Sequence, residues 1–402
     1  MTLTARARRV APSATLAIST RVRQLQAEGI DVISFGSGEP DFDTPAHIKA
    51  AAVQALQEGF TKYTATDGIQ ELKDAIRTKL KRDNGLEYAR DEIIVSCGGK
   101  HALYNVAQVL FDPGDEVLIP SPYWVTYPEQ VKLCEAKPVT VPTDEAEGFR
   151  LRPEAVAAAL TPRTQALILD SPNNPTGAVV SREDLEALAR LAVERGFWVI
   201  SDECYEALCY DGAAHVSIAS LGEAIQQRTI LVHTVSKSYA MTGWRIGYAA
   251  GPREVIRAMA TLQSQVTSNP TSIAQRAAQV ALAGPQDAVR TMAAEFDRRR
   301  RYIVGRLQAM PGIRCGMPPG AFYVFPNVTG LFGRRWRGGQ LRGSADVCSF
   351  LLEEARIAVV PGAEFGSDSH VRLSYATSHA AIAEGMDRMA AAIAALTEAT
   401  GA

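Results

Sequence analysis

Apolar residues recur at helical spacing over residues 153–160, 181–195, 253–265, 271–283 and 286–309, in stretches rich in Ala, Leu, Glu and Arg. Each of these stretches predicts a helix. Between them stand short continuous apolar runs at 93–95, 117–119, 166–169, 197–200, 230–232 and 246–249. Such runs fit buried strands, and their alternation with helices predicts crossover units around a mostly parallel sheet. Ligands of such sheets gather beyond the carboxyl ends of the strands. The notable polar residues fall there: Asn173 and Asn174 after 166–169, Asp202 after 197–200, and Lys237 after 230–232.

The pattern changes toward the end of the chain. Short β segments at 320–325, 358–360 and 372–375 flank a helix at 345–356, and an Ala-rich helix follows at about 378–397. The expected fold class is therefore α/β: a large domain with a mostly parallel central sheet flanked by helices, plus a smaller α+β domain. The divisions expected are 1–50 for an N-terminal arm and part of the small domain, 51–295 for the large domain, and 296–402 for the small one. Residues 330–343, rich in Gly and Arg, read as a surface loop, and Arg298 to Arg301 as solvated helix charges.

Composition narrows the function classes. The chain has 402 residues, 47% hydrophobic and 21% charged, with a formal net charge of -2. That length buries a large core, and the near-neutral charge argues against nucleic acid as the main partner. No run approaches the roughly 18 apolar residues that span a bilayer. The six cysteines form no CxxC pair and no cluster with His, so neither a zinc site nor a disulfide framework is expected. Their scatter fits a reducing cytoplasm. Residues 1–27 lack Asp and Glu and carry Arg6, Arg8 and Arg9, a composition shared with organellar transit peptides.

The candidate chemistry centres on Lys237, in Val235-Ser236-Lys237-Ser238-Tyr239. An amine just past a buried strand can be desolvated, lowered in pKa and condensed with a carbonyl. Arg245 lies eight residues on, close enough to share a phosphate. A Lys for an aldehyde and an Arg for a phosphate point to pyridoxal phosphate. Asp202 is the natural carboxylate for keeping a pyridine nitrogen protonated, with Tyr205 three residues later as a donor to the ring hydroxyl. Taken alone, a strand-end Asp equally well caps a helix. Ser171-Pro172-Asn173-Asn174-Pro175-Thr176-Gly177 is dense turn chemistry that can present an amide to a ligand. Gly98-Gly99-Lys100 joins a strand to a helix whose first N–H groups can meet a phosphate; a plain tight turn explains the segment about as well. Trp124 can stack on a flat ring or simply pack in the core. Arg372 stands on an apolar β segment, a costly place unless a substrate carboxylate or a structural ion pair meets it.

Together these segments resemble the fold-type I, pyridoxal-phosphate-dependent class I aminotransferases, and most closely the bacterial aspartate aminotransferase subgroup. The resemblance rests on Gly38-Glu39-Pro40-Asp41-Phe42, Tyr63 with Gly68-Ile69, Gly98-Gly99-Lys100, Ser121-Pro122-Tyr123-Trp124, the Ser171 to Gly177 heptad, Asp202 with Tyr205, Ser236-Lys237, Gly243-Trp244-Arg245-Ile246-Gly247 and Arg372-Leu373-Ser374-Tyr375. It begins near Pro12, which favours an ordered N-terminal arm over a cleaved one. It implies that Lys237 holds the cofactor covalently and then moves the substrate's α-proton. Asp202 would pair with the ring nitrogen, Asn174 and Tyr205 with the ring hydroxyl, and Trp124 would stack on the ring. Gly99, Lys100, Thr234, Ser236 and Arg245 would surround the phosphate. Tyr63 would reach that phosphate from a second subunit, which implies a homodimer. Gly38 and Arg372 would hold the α-carboxylate, with Trp124 and Asn174 also facing substrate, and Lys100 would read the distal carboxylate of aspartate or glutamate. The implied activity is transamination between L-aspartate and 2-oxoglutarate. Alternatives are an aminotransferase for prephenate, an aromatic or a specialised-metabolite amino acid, or a lyase or synthase on the same fold. Ala11 stands where some relatives that accept prephenate carry Lys, and Val266 where relatives carry a small polar residue.

Overall fold

A computed structural model describes residues 3–396. Its centre is a seven-stranded sheet built from β1 (Ile93–Ser96), β2 (Glu116–Ser121), β3 (Lys137–Pro142), β4 (Thr164–Asp170), β5 (Trp198–Asp202), β6 (Thr229–Thr234) and β7 (Gly247–Ala250). The strand order is β1-β7-β6-β5-β4-β2-β3. Every pairing is parallel except those of β7, which runs antiparallel to both β1 and β6. The apolar runs read from the sequence form the middles of these strands, and β1 and β6 are buried at every position. Burial on both faces is what a sheet covered by helices requires.

The covering helices follow from their own spacing. In α3 (Arg182–Arg195) the buried residues Leu185, Leu188, Ala189 and Ala192 fall on one stripe. The Ser181 side chain accepts from the Asp184 N–H at its start, and Gly196 ends it in a left-handed conformation. The helix α2 (Gly99–Leu110) starts at the carboxyl end of β1, with Gly98 at φ 90°. A Cβ on Gly98 would collide with the Arg245 guanidinium, so glycine is required at that turn.

The chain's two ends share a second, smaller body. Residues Ile33–Ser34 pair in parallel with Ile357–Ala358. The strands β8 (Tyr323–Val324), β9 (Val360–Pro361) and β10 (Val371–Ser374) form an antiparallel sheet in the order β9-β10-β8. Helices α6 (Ser344–Glu354) and α7 (His379–Ala395) pack around it, with Phe350, Leu351, Met386 and Met389 in a shared core. The expected end of the last helix, at residue 397, lies outside the described residues. Ahead of these elements, residues Ala14–Ala27 form the helix α1. The arm before it is held where the Ala11 N–H donates to Glu129 Oε2 at 2.8 Å. No helix among the described residues is long and apolar enough to cross a membrane.

Two readings of surface charge need correction. Arg299 and Arg300, on α5 (Asp287–Gln308), are buried rather than solvated. Consecutive helix positions point about 100° apart, so a run of four arginines cannot all face water. Arg299 meets Asp41 at 2.7 Å, and Arg300 meets Asp211 and the Pro318 carbonyl, each at 2.7 Å. Residues 330–343 are not an irregular loop throughout: Arg335–Trp336 pairs antiparallel with Gly339–Gln340. Arg337 and Gly338 both take positive φ, 47° and 79°, the backbone that a two-residue hairpin turn needs.

Candidate active site

A cavity of about 580 Å³ opens at the carboxyl ends of the central strands, between the sheet and the smaller body. Of the residues nominated from sequence, Lys237, Asp202, Tyr205, Asn174, Trp124, Gly99, Lys100, Thr234, Ser236, Arg245, Gly38 and Arg372 all line it. Tyr63 does not: it is 91% exposed on this chain.

Lys237 follows β6, and its ammonium donates to the Gly38 carbonyl oxygen. Burial lowers its pKa, and the nearby Arg372 and Arg245 charges push the same way. An amine in that condition is easier to free of its proton, which a nucleophile or proton carrier requires. A Cβ on Gly38 would come within 3.0 Å of the Tyr323 hydroxyl, so the approach of that backbone to Lys237 depends on glycine.

Asp202 ends β5 and is 5% exposed. No helix starts there, so the capping alternative falls away. Its Oδ2 accepts from the Tyr127 hydroxyl at 2.8 Å and its Oδ1 from the Cys204 N–H at 3.3 Å. Burial raises its pKa, while these donors oppose the rise. Tyr205 shares a hydrogen bond of 2.7 Å with the Tyr323 hydroxyl.

At the other end of the cavity lies an anion cradle. The first N–H groups of α2, at Gly99 and Lys100, carry the positive end of the helix dipole. Thr234 Oγ1 and Ser236 Oγ lie 2.8 Å apart beside it. The Arg245 guanidinium packs over Gly98 and donates to the Thr242 carbonyl at 2.8 Å. Arg245 is itself held at φ 57°, a conformation that non-glycine residues adopt rarely and mostly at functional sites. Lys100 extends over the Trp124 ring, 4.8 Å from its centroid, and desolvation, then Arg245, lowers its pKa.

Arg372 is the most costly residue of the site. It is 2% exposed, and among the described residues it meets no carboxylate. Its guanidinium donates to Asn174 Oδ1 at 3.0 Å and to the Gly36 carbonyl at 2.9 Å, and lies over the Tyr323 ring at 4.6 Å. Its Nε has no hydrogen-bond partner. A buried cation with an orphaned donor on a cavity wall has the geometry to take a carboxylate. The ion-pair alternative for Arg372 thus finds no partner, and Trp124 faces the cavity instead of only the core.

This donor set fits pyridoxal phosphate. A desolvated lysine, a buried carboxylate and a helix-start anion cradle share one cavity. Several contributors were missed in the sequence. Tyr127, Asp170, Cys204 and Tyr323 also line the cavity. Asp170 ends β4, the same strand-end position that singled out Asp202, but the turn motif after it drew attention instead. Tyr127 and Tyr323 carried no local signal.

With this geometry in place, likeness to known proteins is informative. The profile of the aminotransferase class I and II family matches residues 30–389. An aspartate aminotransferase of Geobacillus stearothermophilus is 49% identical over 392 residues, 97% of this chain and 98% of that one. An aspartate/prephenate aminotransferase of Cereibacter sphaeroides is 48% identical over 391 residues, again 97% and 98% of the two chains. The crystal structure of the aspartate aminotransferase from Rhizobium meliloti superposes with a TM-score of 0.95 at 47% identity, covering 99% of this chain and 100% of that one. A lysine and a buried carboxylate lining one cavity, a helix-start anion cradle and nearly full-length kinship thus lead to one assignment: the chain belongs to the aminotransferase class I and II family.

Proposed function

We propose that this enzyme moves the α-amino group of L-aspartate to 2-oxoglutarate, giving oxaloacetate and L-glutamate, with pyridoxal 5'-phosphate as cofactor. The observation that carries the reading is that Arg372 and Lys100, which meet no carboxylate among the described residues, share one cavity with Lys237. A substrate with two carboxylates answers both. Relatives of nearly the same length that bear the name aspartate aminotransferase support the choice.

Bound pyridoxal phosphate would withdraw the electrons released when the substrate's Cα loses its proton. The protein's own groups do the rest. Asp202 would face the ring nitrogen as a carboxylate and keep it protonated. Asn174 and Tyr205 would hold the ring hydroxyl, and Trp124 would cover one ring face. Gly99, the Lys100 main chain, Thr234, Ser236 and Arg245 would hold the phosphate. Arg372, with the Gly38 backbone, fixes the α-carboxylate and so orients the Cα–H toward Lys237. The Lys237 amine would take that proton as a general base and, once protonated, serve as the general acid of the next step. The Lys100 ammonium reads the distal carboxylate.

We further propose a homodimer in the cytoplasm, with Tyr63 reaching the partner's cavity, and a division of the chain at about residues 50 and 295. Prephenate is the second reading, because some near relatives are named for both substrates. Ala11 supplies no charge and does not line the cavity, which disfavours it. Val266 ends the helix Arg253–Val266 half-exposed, and nothing in the structure explains it.

A panel of amino donors against 2-oxoglutarate, followed through the absorbance of the bound cofactor, tests the assignment. Aspartate and glutamate should convert the cofactor fastest. Conversion by aromatic donors or prephenate-derived amino acids alone, or none with 2-oxoglutarate as acceptor, would overturn it.

A further inference from the structure

The cavity floor holds two carboxyls, and only one has been given work. Asp170 ends β4 directly beside Asp202 in the sheet register, and both line the cavity. Two carboxylates on neighbouring strand ends, one buried and one half-buried, repel each other, and that repulsion favours a proton on one of them.

Their surroundings differ. Asp202 receives the Tyr127 hydroxyl and the Cys204 N–H, with the Cys204 thiol also against it. Asp170 receives only amide donors, the Asn174 N–H at 3.0 Å and the Asn173 Nδ2 at 3.4 Å, both on Oδ2. The Tyr127 hydroxyl also lies within interaction range of Asp170. A hydroxyl has one proton, and this one goes to Asp202. Toward Asp170 the Tyr127 oxygen offers only a lone pair, which a protonated carboxyl satisfies and an ionised one does not. Burial, followed by the Asp202 charge, holds the Asp170 carboxyl well above the usual range. The other titratable groups around the pair are His233, which acts on Asp202, the Cys204 thiol, which burial pushes up, Lys237, whose charge acts on Cys204, and the Tyr205 and Tyr323 hydroxyls, which feel Asp170.

We propose that Asp170 is a positioning residue: it carries the single proton of the two-carboxyl floor and, through Tyr127, holds Asp202 ionised toward the ring nitrogen of the cofactor. The Tyr127 O–H donates to the Asp202 carboxylate in the structure, and a protonated Asp170 adds one bond, from its own O–H to the Tyr127 oxygen. A ring N–H arriving at Asp202 then meets one charge already in place, and no proton has to leave the floor. The second Asp170 oxygen anchors the Asn174 backbone, and the Asn174 side chain in turn meets Arg372. One neutral acid thus ties the ring-nitrogen end to the substrate-carboxylate end. This inference rests on the pyridoxal phosphate reading given above.

Asparagine reproduces a neutral acid's one acceptor and one donor direction; alanine has neither, and aspartate cannot be replaced by asparagine where a charge is required. The experiment compares wild-type, Asp170→Ala, Asp170→Asn and Tyr127→Phe holoenzymes. It reads the pyridoxal phosphate dissociation constant and the pH midpoint of the bound cofactor's absorbance. Asp170→Ala should weaken cofactor binding about tenfold or more and move the midpoint, the scale expected for a hydrogen bond to a charged group. Asp170→Asn should recover the affinity to within about threefold and restore the midpoint. In the Tyr127→Phe background, Asp170→Ala should cost less than it does in the wild type, because the chain is already cut. Asp170→Asn as impaired as Asp170→Ala, or Asp170→Ala identical to wild type, overturns the proposal. If Asp170→Ala does not fold, Asp170→Asn decides alone: a drop in affinity of about tenfold or more would require an ionised Asp170 and overturn it. A wild-type chain that takes up no pyridoxal phosphate would bring down the functional reading and this inference with it. A normally loaded wild type indifferent to residue 170 brings down this inference only.

Discussion

At the scale of single residues, the site is made of cations that the fold places where water cannot fully screen them. Lys237 shows the consequence most directly. Burial depresses its pKa below 10.5 in the folded chain. The unfolded chain therefore binds more protons, and native stability from this group is present above pH 10.5 and lost as pH falls through the lowered folded value. At neutral pH the lysine is a liability kept for chemistry. Lys237→Met should abolish turnover and raise the melting temperature of the cofactor-free protein at pH 7. The gap between variant and wild type should narrow as pH rises toward 10.5, and calorimetry across that range checks it. A gap that widens with pH would mean the burial penalty is not what sets this amine. Lys100 gives a prediction about selectivity. Removing a partly desolvated cation costs most when a carboxylate is left facing it, so Lys100→Ala should lower kcat/KM about tenfold or more for aspartate but at most about threefold for alanine. Equal losses for the two donors would take Lys100 out of substrate recognition.

At the scale of elements, position in the sheet does the selecting. Asn174, Asp202 and Lys237 are near one another because β4, β5 and β6 run parallel and adjacent, with their carboxyl ends on one edge. That much was legible, since buried runs alternating with helices place strand ends predictably; the run at 93–95 needs one added residue to match β1, and the run at 230–232 needs three to match β6. Direction was not: the run at 246–249 looks like the others, yet β7 is antiparallel to both neighbours. Long-range partners were not legible either. Arg299 finds Asp41 at a separation of 258 residues, and Tyr205 finds Tyr323 at 118, so neither contact leaves a local trace. Glu116 shows an element-level clamp of this kind. It starts β2 and takes hydrogen bonds from Thr161, Arg163 and Lys137, thereby joining the starts of β2, β3 and β4. Those donors, Thr161 first, hold its carboxyl down to about 2. A depressed carboxyl contributes stability above its unfolded pKa near 4.5 and loses it as pH falls toward 2. Glu116→Gln should therefore shift the acid-unfolding midpoint to higher pH, with circular dichroism as the readout. The variant and wild type should converge once pH reaches about 2. The arginine and lysine partners are solvent-exposed, so the shift should shrink in high salt.

At the scale of the whole molecule, one nominated residue is conspicuously apart from the site. Tyr63 is 91% exposed and absent from its own chain's cavity, while every other residue assigned to the cofactor lines it. A large aromatic left in solvent is available to a second copy, and in the proposed homodimer symmetry would make the donation mutual. This predicts complementation between two impaired proteins. Tyr63→Ala should hold the cofactor phosphate more weakly in both of its sites, and Lys237→Ala should be inactive in both. In a mixed dimer, the cavity of the Tyr63→Ala subunit keeps its own lysine and receives an intact tyrosine from the Lys237→Ala partner, so that one cavity is complete. The other lacks both groups. With random exchange about half of the dimers are mixed and half of their cavities are whole, so the mixture should regain about a quarter of wild-type activity at cofactor concentrations where Tyr63→Ala alone is poorly loaded. Co-expression with two different affinity tags isolates the mixed dimer, which should show about half of wild-type activity per dimer and bind one tight equivalent of pyridoxal phosphate. If the mixed dimer is no better than the sum of its parents, Tyr63 acts within its own chain or not at all, and the cavity is complete without a second subunit.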